Sequence, residues 1–205
     1  MDENGAPHDP APTKAEIDAC RRCELGEKAT QGVAGEGPAD ARLMLVGEQP
    51  GNEEDLRGRP FVGPAGEILR AALDEAGLPE SRVFITNAVK HFSFEMRGKR
   101  RLHKTPLQRH IAACVDWLER EIRSQQPTEI VTLGATALRA VLGRTISIAA
   151  ARGQALARGD GIRVIATYHP SAILRAPDRE VAARLRQALV ADLRLAADAG
   201  SRQDP

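Results

Sequence analysis

The segment ARLMLVGEQPGNEEDLRGRPFVGPAGEILRAALDEAG (41–77) contains the three parts of a strand–loop–helix unit. Residues 42–46 are a short apolar run that Gly47 closes, which predicts a buried strand. Residues 65–76 have helical periodicity and end at Gly77, a residue typical of helix C-termini. The loop between them is rich in glycine, proline and carboxylates.

The same alternation of strand and helix continues along the chain. β-branched or apolar runs predict three further strands, at 83–87, 129–133 and 162–167. Helical patterns lie at 107–123, 135–142 and 179–199. Because the connections are short, the pattern predicts an α/β fold: a three-layer α/β/α sandwich with a central four-stranded parallel sheet.

Bulk composition restricts the class of protein. The 205 residues fit one domain, and a net charge of +1 excludes a uniformly basic nucleic-acid coat, although a local basic patch remains open. Three cysteines are too few for a secreted disulfide framework, and no apolar run approaches the roughly 18 residues of a membrane span. We therefore predict a cytoplasmic protein with a disordered leader (1–12), one domain (13–199) and a disordered tail (200–205).

Ligands bind such sheets where loops leave the carboxyl ends of the strands. The first of these loops (47–64) carries Glu48, three further carboxylates at 53–55, and Phe61, one of only six aromatic residues in the chain. Composition alone allows a solvated acidic turn. An aromatic ring in a glycine–proline loop, however, is a natural platform on which a base can stack.

The second loop is basic. Residues 97–104 contain five cations and no acid, a pattern that attracts a phosphate backbone, although most such runs are merely solvated. His103 lies among these cations, which should lower its pKa and keep the imidazole neutral and nucleophilic. The fourth loop begins Tyr168-His169-Pro170-Ser171, so His169 directly follows a strand, although a lone histidine is more often structural.

The cysteines suggest a metal or redox site. Cys20 and Cys23 form a C-x-x-C pair, and Cys114 lies on a predicted helix, where simple burial is the alternative. Structural zinc and iron–sulfur sites normally take four protein ligands, so one is missing. His91 is the best fourth candidate, and His8 and His110 qualify by residue type only.

Five segments together resemble the uracil-DNA glycosylase superfamily. They are GEQPGNEEDLRGRPFVGPAG (47–66), TNAVKHF (86–92), GKRRLHKTP (98–106), LGATA (133–137) and HPSAILR (169–175). They look like its iron–sulfur branch, family 4, and most closely its UdgX group, whose members bond covalently to uracil-containing DNA. The most specific element is KRRLH, since the UdgX group typically has KRRIH there and ordinary family 4 glycosylases lack this loop.

The resemblance implies a role for each matching residue. Glu48 and Gln49 match the GEQPG motif, Phe61 the ring that stacks on uracil, and Asn87 the residue that recognises it. His103 matches the histidine that attacks the sugar, and His169 the histidine of the HPS motif. Cys20, Cys23, Cys114 and His91 match ligands of a [4Fe–4S] cluster, although spacing alone does not exclude zinc. The candidate DNA contacts are Lys99, Arg100, Arg101, Lys104, Ser171 and Arg175.

The implied function is excision of uracil from DNA followed by covalent capture of the sugar C1′ by His103, once per molecule. The partner would be uracil-containing DNA, preferentially single-stranded. The protein would act as a monomer, would not bind a membrane, and would be associated with the nucleoid when it is on DNA. Two alternatives remain: an ordinary turnover family 4 glycosylase, or a non-catalytic iron–sulfur module that binds DNA or senses redox state. Asn52 is a departure, because the UdgX group usually has an acid there, which puts that carboxylate's role in doubt.

Overall fold

The computed structural model describes residues 10–200, and for 198–200 only the backbone. Most of the predicted leader and tail, residues 1–9 and 201–205, lie outside this range. The strands are Leu43–Gly47 (β1), Val83–Asn87 (β2), Phe94–Arg97 (β3), Arg100–His103 (β4), Glu129–Leu133 (β5), Ala155–Ala157 (β6) and Arg163–Thr167 (β7). The helices are Lys14–Asp18 (α1), Leu25–Lys28 (α2), Asn52–Arg57 (α3), Pro64–Glu75 (α4), Gln108–Gln125 (α5), Ala135–Leu142 (α6), Ile148–Ala151 (α7), Ser171–Leu174 (α8) and Arg179–Gly200 (α9), with a 3-10 turn at Glu80–Arg82.

The main sheet has five strands in the order β2-β1-β5-β7-β6. The four predicted strands pair in parallel, which confirms the α/β fold. The sequence did not predict β6, a three-residue strand that pairs antiparallel with β7 at the edge of the sheet. Its residues are exposed or half-buried, so β6 has no apolar run that could reveal it.

Alternate residues of the strands face opposite layers of helices. On one face, Met44 and Val46 of β1 pack in a cluster with α5, α6 and α7. On the other face, Leu43 and Leu45 pack in a cluster with α4 and α9. Because successive strand side chains point to opposite faces, strands buried on both sides are continuously apolar, as β1 is.

β3 and β4 form a separate antiparallel hairpin with Phe94 opposite His103. The sequence predicted this region only as a basic loop. The hairpin is largely exposed, so its residues show no apolar alternation, and the turn uses Gly98 in the left-handed region (φ 62°).

The parallel strands β1, β2, β5 and β7 end at one edge of the sheet, which places Glu48, Asn87, Gly134 and His169 side by side. Among residues 10–200, no helix combines the length and apolar character needed to cross a bilayer.

Candidate active site

A cavity of about 640 Å³ opens at the carboxyl edge of the sheet. Its walls come from the loop after β1, the end of β2, the base of the hairpin and the loop after β7. The residues around it include Glu48, Gln49, Asn52, Phe61, Asn87, His103, Thr105, His169, Ser171 and Arg175. All six predicted catalytic and base-binding residues therefore border one space.

Asn87 and Phe61 form the inner wall. Asn87 is buried, and its Oδ1 has no hydrogen-bond partner among the described residues. The Phe61 ring, also buried, lies beside Gly47: a Cβ on Gly47 would be 2.4 Å from Asn87 Oδ1 and 2.6 Å from Phe61 Cζ. Glycine at position 47 thus lets an aromatic face and an unsatisfied acceptor approach the same point.

Phe61 has an unusual backbone, with φ 52°, a conformation that a bulky residue rarely adopts. Its carbonyl accepts a hydrogen bond from Arg70 Nη1 at 3.1 Å. A Cβ on Gly66 would lie 1.7 Å from that same carbonyl oxygen, so only glycine fits there. Strained residues concentrate at ligand sites, and here the surroundings fix the ring at the cavity wall.

His169 is held as a neutral imidazole. Its Nδ1 accepts a hydrogen bond from the Ser171 backbone N–H at 3.1 Å and lies 2.7 Å from Ser171 Oγ. Burial, with smaller contributions from Arg175 and His103, lowers its pKa to about 4. Because Nδ1 is an acceptor, the ring proton is on Nε2, and His169 can donate one hydrogen bond. Its ring centroid is 6.0 Å from that of Phe61.

Glu48 connects His103 to the sheet. One carboxylate oxygen, Oε1, lies 3.5 Å from His103 Nε2, and the other accepts a hydrogen bond from Thr136 Oγ1 at 2.5 Å. Burial lowers the pKa of His103, Glu48 opposes this shift and Arg175 adds to it. A lowered pKa agrees with the prediction from the sequence, but the main cause is burial and not the neighbouring cations of the hairpin.

Gln49 fastens the base of the hairpin. Its Nε2 donates to the carbonyls of Ser93 (3.1 Å) and Lys104 (3.2 Å), and its Oε1 accepts from the Ser93 N–H at 3.0 Å. The side-chain amide of Gln49 is therefore bonded to protein, and the contact to uracil stays a prediction. Since His103 precedes Lys104, these bonds hold the imidazole at the cavity.

Arg101 braces the other side of the hairpin. Its Nη1 lies 2.5 Å from Oδ2 of the fully buried Asp55, and its Nε donates to Asn52 Oδ1 at 2.9 Å. The guanidinium also lies over the rings of Phe92 and Phe94. Asn52 thus accepts the hydrogen bond that a carboxylate could accept there. The phosphate contact predicted for Arg101 remains a prediction beside this brace.

The remaining candidate DNA contacts differ in exposure. Lys99 and Arg100 are exposed at the hairpin tip, and Lys104 is exposed 3.8 Å from Glu95. Arg175 is exposed at the cavity rim, whereas Ser171 bonds to His169. Cations at the tip and the rim can contact phosphates on either side of a base in the cavity.

Cys20, Cys23 and Cys114 belong to the hydrophobic cluster on the α5 face of the sheet, and the ring of His91 lies close by: a Cβ on Gly26 would be 2.3 Å from the Cys20 carbonyl oxygen and 3.7 Å from His91 Cε1. The buried Nε2 of His91 has no partner in the described part of the chain. Trp117 Nε1 lies 3.4 Å from Cys20 Sγ, positioned to donate to the sulfur. Burial raises the pKa of the Cys114 thiol to about 11, the Lys90 backbone N–H opposes this, and nearby Cys23 and Cys20 add to it.

This donor set fits an iron–sulfur cluster. Within residues 10–200, no three His, Cys, Asp or Glu side chains form a group suited to one metal ion. A [4Fe–4S] cluster contains four irons, so its ligands need not converge on one atom. The cluster needs four donor atoms, and the described residues offer three free thiols and the imidazole nitrogen of His91, which has no other partner among them. Two of the sulfurs also lie near N–H groups, as cluster ligands can.

Sequence reasoning assigned no role to Thr136 and did not predict the contacts that Arg101 makes with the protein. Thr136, which bonds to Glu48, lies three residues after β5 ends, and its signals were that position at the carboxyl edge and its place in the LGATA segment (133–137). The bracing contact of Arg101 could not be predicted, because it depends on how the hairpin folds back on α3.

Comparison with known proteins identifies relatives along most of the chain. Residues 34–194 match the model of the uracil DNA glycosylase superfamily. The Type-4 uracil-DNA glycosylase of Thermotoga maritima is 40% identical over 166 residues, covering 80% of this chain and 83% of that protein. That of Sulfurisphaera tokodaii is 37% identical over 173 residues (80% and 76%). The Type-5 uracil-DNA glycosylase of Pyrobaculum aerophilum is 34% identical over 182 residues (80% and 75%).

Proposed function

Because the chain belongs to the uracil-DNA glycosylase superfamily, we propose that it excises uracil from DNA and then bonds to the sugar through His103. The observation that carries the proposal is the buried Oδ1 of Asn87 beside the Phe61 ring, an atom that has no hydrogen-bond partner within residues 10–200. A buried polar atom without a partner is unfavourable unless a ligand supplies the missing hydrogen bond.

Uracil supplies that hydrogen bond. Its N3–H donates to Asn87 Oδ1 while its O4 accepts from the Asn87 amide, and Phe61 stacks on the extruded base. Cytosine has an acceptor at N3 and a donor at C4, the reverse of what Asn87 offers. It would leave buried polar groups unpaired, a strong basis for discrimination.

His169 assists departure of the base. Cleavage of the C1′–N1 bond leaves the bonding electron pair, and hence negative charge, on uracil. A neutral His169 donates its Nε2–H to uracil O2 as that charge develops. The uracil anion then takes a proton from solvent.

His103 captures the sugar. With its proton on Nε2, which lies 3.5 Å from Glu48 Oε1, the imidazole holds a lone pair on Nδ1, which forms the new bond to C1′. The product is an N-alkyl imidazolium, whose positive charge Glu48 stabilises. This cation has no easy route to hydrolysis, so the adduct persists and each molecule acts once.

The DNA is held by the cations at the rim of the cavity. Lys99, Arg100 and Lys104 on the hairpin and Arg175 on the opposite side are exposed and can contact phosphates. A single strand presents its base without breaking a pair, so we expect a preference for single-stranded DNA. We also expect the protein to act as a monomer.

Cys20, Cys23, His91 and Cys114 would hold a [4Fe–4S] cluster. When bound, the cluster supplies four metal–ligand bonds that cross-link the N-terminal helices, the segment after β2 and helix α5. The cofactor test uses Trp117, the only tryptophan of the chain, beside Cys20. We expect protein that carries the cluster to contain iron and sulfide and to be brown. The cluster should also quench the fluorescence of Trp117, and removal of the iron with a chelator should restore it. A colourless, zinc-containing protein without quenching would contradict the cluster.

The second candidate is a turnover glycosylase, favoured by the Type-4 relatives. There, water attacks C1′ and His103 contacts a phosphate only. The third is a non-catalytic iron–sulfur module that binds DNA or senses redox state.

One denaturing gel separates the three. The protein is mixed with single-stranded DNA that contains one uracil, and with the same strand containing cytosine. We expect a band of higher mass that survives heat and detergent, with uracil only. Free DNA with alkali-labile sites would instead indicate turnover, and unaltered uracil DNA a binding module.

A further inference from the structure

Lys90 is a fully buried lysine that the proposed chemistry does not use. Its Nζ donates to three oxygens: Glu121 Oε2 at 2.6 Å, Thr86 Oγ1 at 2.7 Å and the backbone carbonyl of Asn87 at 2.8 Å. All three protons of the ammonium group are thereby used. The third bond ends on the residue proposed to recognise uracil.

Glu121, on α5, is equally buried, with 2% of its side chain exposed. Its Oε2 accepts from Thr86 Oγ1 at 2.7 Å as well as from Lys90, and its Oε1 accepts from the Gly35 N–H at 2.9 Å. The pair therefore ties helix α5, the end of β2 and the segment around Gly35 to one point.

A buried ion pair is weak support for stability, because desolvating two charges offsets much of their attraction. Apolar side chains of similar volume often stabilise a core equally well, and the neighbours Ala88, Val89 and Leu118 are apolar. What an apolar pair would not supply is a donor for the Asn87 carbonyl. The particular consequence of this pair is thus the position of the Asn87 backbone.

We infer that Lys90 and Glu121 are positioning residues for uracil recognition, which fix the Asn87 backbone so that its amide meets N3–H and O4 together. The inference rests on the proposed function. Two hydrogen bonds to one base edge demand a well-defined amide orientation, and a small displacement of Asn87 weakens both. A mobile amide can also turn over and offer the pattern that suits cytosine.

The test is the double substitution Lys90→Met with Glu121→Gln. It removes both charges and the donor to Asn87, while the glutamine oxygen still accepts from the Gly35 N–H. The matched control is Arg158→Met with Glu119→Gln, which removes a partly buried ion pair between the segment after β6 and helix α5, whose two residues are not among those around the cavity. Thermal midpoint and cluster absorbance are recorded for each protein, because the Lys90 backbone also approaches Cys114.

The reaction is followed under single-turnover conditions with uracil DNA and cytosine DNA at several protein concentrations. For the Lys90/Glu121 variant we expect a maximal rate constant about a hundredfold lower, little change in half-saturating concentration, and a smaller ratio of uracil to cytosine reaction. The control variant should match wild type in all three.

The reaction amplitude, which is the fraction of protein that reacts, distinguishes positioning of Asn87 from general support of the fold. If the Lys90/Glu121 variant shows reduced amplitude but wild-type rate constant and base preference, the pair serves the fold only and the inference is wrong. Unchanged kinetics would overturn it as well. Wild-type protein that neither releases nor captures uracil would overturn the proposed function, a result distinct from either of these.

Discussion

His103 Nε2 lies 3.5 Å from Oε1 of Glu48, whose other oxygen accepts a hydrogen bond from Thr136 Oγ1. The hairpin, the loop after β1 and the start of α6 therefore meet at one carboxylate. Because Thr136 occupies Oε2, Oε1 faces the imidazole. The arrangement suits a histidine that becomes positively charged when it acts as a nucleophile.

Glu48→Gln should slow capture of uracil DNA by roughly a hundredfold, because the amide cannot stabilise the imidazolium and can present N–H groups to His103. Single-turnover gel kinetics measures this change. Glu67→Gln, on the exposed first turn of α4, is the control for charge and should react as wild type. Equal rates for Glu48→Gln and wild type would remove Glu48 from the mechanism.

Gly47→Ala should abolish recognition of uracil. The added Cβ would lie 2.4 Å from Asn87 Oδ1 and 2.6 Å from Phe61 Cζ, so one or both must leave the base site. Overpacking of this kind destabilises a protein by about 1–3 kcal/mol, which denaturant unfolding can measure. Gly159→Ala, whose Cβ would have no neighbour within 4 Å in the described part of the chain, should leave activity and stability intact. Wild-type uracil release by Gly47→Ala would show that the site lies elsewhere.

Arg101→Met should destabilise the protein by about 3 kcal/mol, because it leaves the carboxylate of Asp55 buried without its ion-pair partner. The hairpin should loosen and capture should slow. Arg100→Met, the neighbouring exposed cation, should change stability by less than about 0.5 kcal/mol. Its effect should instead be weaker, more salt-sensitive DNA binding. Urea unfolding and DNA binding at two salt concentrations are measured for both variants. Equal free energies of unfolding for Arg101→Met and Arg100→Met would contradict the bracing role of Arg101.

The rate of capture should reach a plateau at high pH and fall at low pH, with its inflection below pH 6.5. Neutral imidazole is the nucleophile, and burial lowers the pKa of His103 below its usual 6.5, so the neutral form predominates at pH 6.5 and above. His169, with a pKa of about 4, stays neutral throughout. Single-turnover rates from pH 5 to 8.5 should place the inflection below 6.5. An inflection at pH 7 or higher would contradict a nucleophile whose pKa is lowered by its surroundings.

The strands and helices that form the core were predictable, because their residues are apolar with a clear period. Strands β2 and β5 and helix α6 have the predicted boundaries, and β1, β7, α4, α5 and α9 differ by one or two residues. The edge strand β6 and the hairpin were not predictable. Their residues are exposed or half-buried and show no apolar alternation, and the base of the hairpin is held by the distant residue Gln49, which bonds to Ser93.

Residue type and position in the loops at the carboxyl edge singled out Phe61 and His169, whereas Asn87 was selected only by the resemblance of its segment (86–92) to the family motif. The sequence could not reveal how those groups are held: the Thr136 hydrogen bond to Glu48, the Asp55 ion pair of Arg101, or the tautomer of His169. Each depends on atoms that are far apart in the chain and meet only in the fold.

The most direct test of covalent capture is the mass of the protein after reaction with uracil-containing DNA. After nuclease treatment and cleavage at glutamate, the account predicts that the sugar-derived mass lies on the peptide 96–119, which fragmentation assigns to His103 rather than His110. His103→Ala should form no adduct. Uracil released without any mass added to the protein, or an adduct on another residue, would contradict the account.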